Sequence, residues 1–153
     1  METNYLKGVG VALVTPFCED GSVDLEALHD HVKFQIDGNV GFMVPCGTTG
    51  ESATLSIEEH SIVVRETANA AQGKVPILAG AGGNNTADVI LRARAVKEAG
   101  ANAIVSVSPA YNKPSQRGIV EHYRALAAAV ECPIVVYNVP GRTSSNILPE
   151  TLM

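Results

Sequence analysis

Gly8-Val9-Gly10-Val11-Ala12-Leu13-Val14-Thr15-Pro16-Phe17 is an apolar, β-branched run that ends in a threonine, a proline and a phenylalanine. The run reads as a buried strand. Its exit decides what kind of strand. A sheet built to hold a nucleotide places a glycine-rich phosphate turn directly after its first strand. Thr15-Pro16-Phe17 carries neither G-x-G-x-x-G nor G-x-x-x-x-G-K-[ST].

Four further apolar runs follow: Gly41 to Val44, Val75 to Ala79, Ala103 to Val107 and Ile134 to Tyr137. They recur about every 30 residues, the length of a βαβ unit. None alternates cleanly between apolar and polar residues, as expected of parallel strands covered on both faces. Between them lie segments of helical period with readable ends. Asp24 is placed to cap a helix carrying Leu25, Leu28 and Val32, with Gly38 as its stop. Ser56-Ile57-Glu58-Glu59 has the form of a capping box, ahead of Ile62, Val63 and Thr67. Thr86 opens a third helix with Val89, Ile90, Ala93 and Val96, closed at Gly100. A fourth spans about Ser115 to Val130 through Ile119, Tyr123 and Leu126. A fifth begins around Pro149-Glu150.

Five parallel strands suit an open doubly wound sheet or part of a barrel, and periodicity does not separate them. The missing phosphate turn counts against the first. Gly80-Ala81-Gly82-Gly83, the one glycine-rich loop, follows the third strand and lacks the P-loop lysine. The reading is therefore an α/β (β/α)8 barrel of which about five units are present, residues 1–153 forming a single incomplete domain.

Composition narrows the function. With 46% hydrophobic and 18% charged residues, the chain is foldable rather than disordered. A net charge of −5 argues against a nucleic-acid partner. No apolar run approaches a membrane span. Met1-Glu2-Thr3-Asn4 lacks the basic and apolar regions of a secretory leader. Cys18, Cys46 and Cys132 form no C-x-x-C pair, which fits free thiols in a cytoplasmic protein. The scattered His29, His31, His60 and His122 do not suggest a zinc site.

In a parallel barrel the chemistry lies in the loops at the carboxyl ends of the strands. Gly47-Thr48-Thr49-Gly50-Glu51, after the second strand, is the sharpest of these. Its glycines permit a tight turn, its amides can form an anion nest, and its two hydroxyls suit a carboxylate and a keto oxygen. The plainer reading is a polar turn before a capped helix. Tyr137 ends the fifth strand, where a phenol could pass a proton, although a core tyrosine is the commoner fate. Arg142 follows in a Pro-Gly turn, placed either to fork onto a carboxylate or to make a surface ion pair. Tyr111 stands between Pro109 and Pro114 in a stiff loop. Lys113 beside it has a polar setting and reads as a surface lysine.

Thr15-Pro16, the stretch from Gly47 to Leu55, Ser108-Pro109-Ala110-Tyr111-Asn112-Lys113-Pro114 and Tyr137-Asn138-Val139-Pro140-Gly141-Arg142-Thr143 together resemble the dihydrodipicolinate synthase family. The match runs in order from about Gly8 to Met153. This resemblance implies a pyruvate-dependent class I lyase of lysine biosynthesis that uses no cofactor or metal. Pyruvate would form a Schiff base with a lysine, and the enamine would attack aspartate β-semialdehyde. Thr48, Tyr137 and Tyr111 match the family's proton relay, Thr49 the pyruvate-carboxylate contact, and Arg142 the semialdehyde-carboxylate contact. It further implies a homo-oligomer in which Tyr111 serves a neighbouring subunit. The family's Schiff-base lysine lies on strand six, which would begin beyond Met153, so these 153 residues alone are expected to be inactive. Two alternatives stay open: N-acetylneuraminate lyase or a sugar-acid aldolase of the same superfamily, and a non-catalytic half-barrel.

Overall fold

The structure, a computed structural model, describes residues 6–153; the N-terminal Met1-Glu2-Thr3-Asn4 lies outside them. Five strands alternate with helices: β1 Gly10–Ala12, α1 Leu25–Asp37, β2 Phe42–Val44, α2 Ile57–Ala71, β3 Leu78–Gly80, α3 Thr86–Glu98, β4 Ala103–Val107, α4 Gln116–Ala129 and β5 Ile134–Tyr137. A one-turn helix, α5 Pro140–Thr143, and a 3-10 turn at Pro149–Thr151 complete the chain.

Each of α1 to α4 starts where a side chain can satisfy free amides of its first turn. Asp24 accepts from the Ala27 amide, Ser115 from Gly118, and Asn85 from Ala87. Ser56 and Glu59 form both bonds of the capping box. The sequence opens the third helix at Thr86, and α3 starts there, capped by Asn85. The sequence also places Ile62 on the buried stripe of α2. That stripe instead runs through His60, Val63, Val64, Thr67 and Ala71, leaving Ile62 at 37% exposure. A helical segment does begin at Pro149, as the sequence indicates. The segment closes as a 3-10 turn, and the helical turn after β5 comes earlier, at Pro140, where proline's fixed φ suits a first helical position.

Every strand pairing is parallel. β1 pairs with β2, β3 with β4 and β4 with β5. The two groups join through a parallel bridge between Met43 and Ile77, with the Met43 amide donating to Pro76 O at 3.0 Å and the Gly80 amide to Pro45 O at 2.9 Å. The spatial order is thus the chain order. A doubly wound sheet reverses its order at a switch point, and this sheet has none. The helices follow suit, α1 packing on α2, α2 on α3 and α3 on α4. They cover one face only, the arrangement of a barrel wall.

Side-chain alternation sorts the two faces. Leu13, Met43, Ala79 and Ile104 point toward the helices and join Leu28, Val32, Val63, Val89 and Leu126 in the core. Gly10, Ala12, Val105 and Val107 point the other way and line a cavity on the concave face. Small residues there leave room for a ligand.

Candidate active site

The concave cavity, about 300 Å3, is lined toward the carboxyl ends of the strands by Thr48 and Thr49 of the loop after β2 and by Tyr137 at the end of β5. Thr48 and Thr49 are exposed in the loop after β2. Tyr137 is the last residue of β5 and is 39% exposed. Thr48 also borders a second cavity of about 390 Å3, shared with Arg142, Asn84, Arg92 and Ala110. A depression of about 280 Å3 at the opposite end, by Gly73 and Pro76, has no ionisable lining.

The β2 loop is held from several directions. Thr15 Oγ1 donates to Gly50 O at 2.8 Å, which gives the Thr15-Pro16 exit a structural reason. Cys46 and Glu51 bound the turn in left-handed conformations (φ 55° and 53°). Such backbone is uncommon outside glycine and persists only when the surroundings enforce it. Tyr111 (φ 69°) and Lys113 (φ 49°) in the β4 loop share this conformation. That loop is tied down by the Tyr111 amide donating to Thr143 O at 3.3 Å and by Asn112 Nδ2 donating to Asn84 O at 2.8 Å.

Of the five candidates, the structure brings Thr48, Thr49 and Tyr137 around one cavity and Arg142 around its neighbour. Tyr111 stands apart at 88% exposure. Arg142 sits in α5 rather than in an open Pro-Gly turn, because Thr143 bonds back to Val139 and left-handed Ser144 ends the turn. Gly80, the last residue of β3, and Gly82 beyond it are required by close packing. A Cβ on Gly80 would lie 2.0 Å from Cys46 O, and one on Gly82 would lie 2.4 Å from Val107 Cγ1.

Neighbouring groups are chemically quiet. Burial pushes the Cys46 thiol up to about 12, so it stays protonated and is no nucleophile. Tyr123, whose hydroxyl donates to Ser106 O at 2.9 Å, is likewise pushed up to about 12 by burial. The five lysines, Lys7, Lys33, Lys74, Lys97 and Lys113, are all exposed. Sequence reasoning missed Thr15, His60 and Arg92 as supports. Only their long-range bonds reveal them, at separations of 20 to 40 residues.

His60 gives a measurable consequence. It is 1% exposed, and burial, reinforced by the Arg92 charge against the opposing bond to Gly80 O, pushes it from 6.5 down to about 4. Between those values the unfolded chain binds a proton that the folded chain does not. Stability therefore falls as pH drops from about 6.5 to 4 and levels off below. The expected loss is of the order of 3 kcal/mol at pH 4. His122 is also lowered by burial and contributes to the same slope. Unfolding midpoints over this range should fall less steeply for His60→Gln than for the unsubstituted chain. Equal slopes would contradict the assignment.

A sequentially wound parallel wall, with a polar-rimmed cavity at the carboxyl ends of its strands, is the architecture of a TIM barrel, whose ligands are held at that face. Comparison with known proteins narrows the class. The chain belongs to the dihydrodipicolinate synthetase family, whose model matches residues 5–153. It is 49% identical over 153 residues to the 4-hydroxy-tetrahydrodipicolinate synthase of Chlorobium chlorochromatii, covering all of this chain and 52% of that protein. The crystal structure of dihydrodipicolinate synthase from Aquifex aeolicus superposes with a TM-score of 0.92 at 43% identity, over 95% of this chain and 49% of that one. That of the chloride-inhibited synthase from Acinetobacter baumannii, complexed with pyruvate, gives 0.93 at 44% identity, over 95% and 50%. The chain spans about half the length of these relatives.

Proposed function

We propose that these residues form the N-terminal five units of a single barrel domain whose complete form condenses pyruvate with aspartate β-semialdehyde to 4-hydroxy-tetrahydrodipicolinate. The observation that carries this reading is the meeting of Thr48, Thr49 and Tyr137 around one cavity at the carboxyl ends of the strands. Thr49, beside loop amides, holds the pyruvate carboxylate. Thr48 and Tyr137 relay protons as the Schiff base forms and the enamine attacks. Arg142, on the adjoining cavity, forks onto the carboxylate of the semialdehyde. The electron sink is an imine on a lysine of the sixth strand, by resemblance to the family, so no cofactor is required. The working compartment on this reading is the cytoplasm, in keeping with three free cysteines. Among the described residues no helix is long and apolar enough to cross a membrane.

Substrate choice tests the reading against a sugar-acid aldolase. A barrel-length protein carrying these 153 residues should consume pyruvate with aspartate semialdehyde and should not cleave N-acetylneuraminate. The reverse preference would overturn it.

Tyr111 completes the relay from outside. At 88% exposure, on a loop whose backbone is held to Thr143 and Asn84, it stands ready for a neighbouring subunit. An isologous pair would exchange two such phenols, making the working form a homo-oligomer, a dimer or a tetramer built from dimers. Mixed dimers of Tyr111→Phe and Tyr137→Phe subunits should then regain part of the activity that each variant loses alone. No recovery in dimers verified to be mixed would count against the exchange.

A further inference from the structure

Behind the β2 loop lies a buried histidine that the proposed chemistry leaves unused. His60 Nε2 is 2.7 Å from Gly80 O, and His60 Nδ1 is 3.1 Å from Arg92 Nη1. The same Nη1 donates to Ser52 O at 3.3 Å. Cys46 Sγ, at the start of the loop, donates to His60 O at 3.8 Å. A guanidinium only donates and a carbonyl only accepts. One neutral tautomer satisfies both neighbours: Nε2–H donates to Gly80 O, and Nδ1 accepts from Arg92. A charged ring would turn a proton toward the guanidinium, and burial keeps the ring neutral down to about pH 4.

We propose that Arg92 and His60 act as a positioning pair, clamping the Gly47–Leu55 loop to β3 and α3 so that the Thr48 and Thr49 hydroxyls are held over the cavity. The inference rests on the function proposed above, because it assigns those hydroxyls to pyruvate. The loop's carbonyls are gripped from two sides, Gly50 O by Thr15 and Ser52 O by Arg92. The Arg92 grip is relayed through His60 to the last residue of β3, where the backbones approach so closely that only glycine fits. Thr48 and Thr49 make no side-chain bond of their own to the scaffold among those the structure records, so their aim depends on where the loop backbone is pinned. Small displacements of such groups cost rate steeply.

Arg92→Met keeps the apolar stem and removes both donated bonds. In a barrel-length protein carrying this chain, it should lower kcat/KM for pyruvate about tenfold, with the folded population unchanged. His60→Leu should match it, and the double variant should be no worse than either single one, because the two residues act as a unit. His60→Gln, whose amide offers one donor and one acceptor, should recover most of the loss. A purely structural role would not produce this pattern. In the 153-residue chain itself, Arg92→Met should shift the backbone amide resonances of Thr48, Thr49 and Ser52. Unchanged kcat/KM in Arg92→Met, with the unsubstituted protein active, would overturn the clamp. If the unsubstituted protein shows no turnover of pyruvate, the proposed function falls, and the amide resonances decide the clamp alone: unmoved, they overturn it.

Discussion

Pyruvate followed by borohydride should leave the mass of the isolated 153-residue chain unchanged, whereas a protein extended through the sixth strand should gain one reduced pyruvate adduct. Schiff-base formation near neutral pH needs an amine that is partly unprotonated, which proteins obtain by desolvating it or placing it beside another cation. None of the five lysines here has such a setting, since each is exposed to solvent. Lys113, in the loop after β4, stands among exposed residues and in left-handed backbone. Without an imine there is no enamine, and Thr48 and Tyr137 have no carbon acid to serve. The expected effect is all or none. Stoichiometric labelling of the isolated chain at any lysine would refute it and make Lys113 the first residue to replace.

Tyr137→Phe in a barrel-length protein should reduce kcat by about two to four orders of magnitude, the usual contribution of a positioned proton-transfer group. The side chain is 39% exposed at the end of β5, and its loss removes no core contact of consequence. The strand pairing Val107 with Tyr137 is a backbone ladder and survives the change. Unfolding midpoints should accordingly differ by little while turnover collapses. A variant retaining kcat within about threefold of the parent would remove Tyr137 from the relay.

Much of the architecture was legible because local signals agreed with one another. The helix starts at Asp24, Ser56 and Ser115 and the stop at Gly38 stand where hydrophobic period and capping chemistry put them, while the first strand shortens to Gly10–Ala12 and the third shifts to Leu78–Gly80. The absence of a phosphate turn after Val14 argued against a switch-point sheet, and the sequential strand order agrees. The end of the chain was less legible. Pro140 and Pro149 each start a helical turn, but only the one at Pro149 was read from the sequence; the four-residue α5 at Pro140 is too short to show a hydrophobic period. The site was legible as residue types on loops. Its supports were not, since Thr15 with Gly50, and Arg92 with Ser52 and His60, meet only after the units have stacked. What Gly80 and Gly82 do was not legible: they line the cavity, and they are also sites where a Cβ would collide with Cys46 O and Val107 Cγ1.

The short helix after β5 bears on how such a site can change over time. Arg142 is carried on a turn that closes on itself, with Thr143 bonded to Val139 and Ser145, and with Asn138 reaching across to Asn146 and Ile147. Thr48 and Thr49 belong to another unit with its own anchors at Thr15 and Arg92. On the function proposed above, the contact to the second substrate would be carried by a segment of about ten residues, Asn138 to Ile147, joined to the rest of the site through the strand that bears Tyr137 and through the Tyr111 amide on Thr143 O. If that function holds, exchange of the segment would redirect the barrel to a different aldehyde while the Thr48-Thr49 loop stays in place, so specificity and chemistry would be inherited as separate parts.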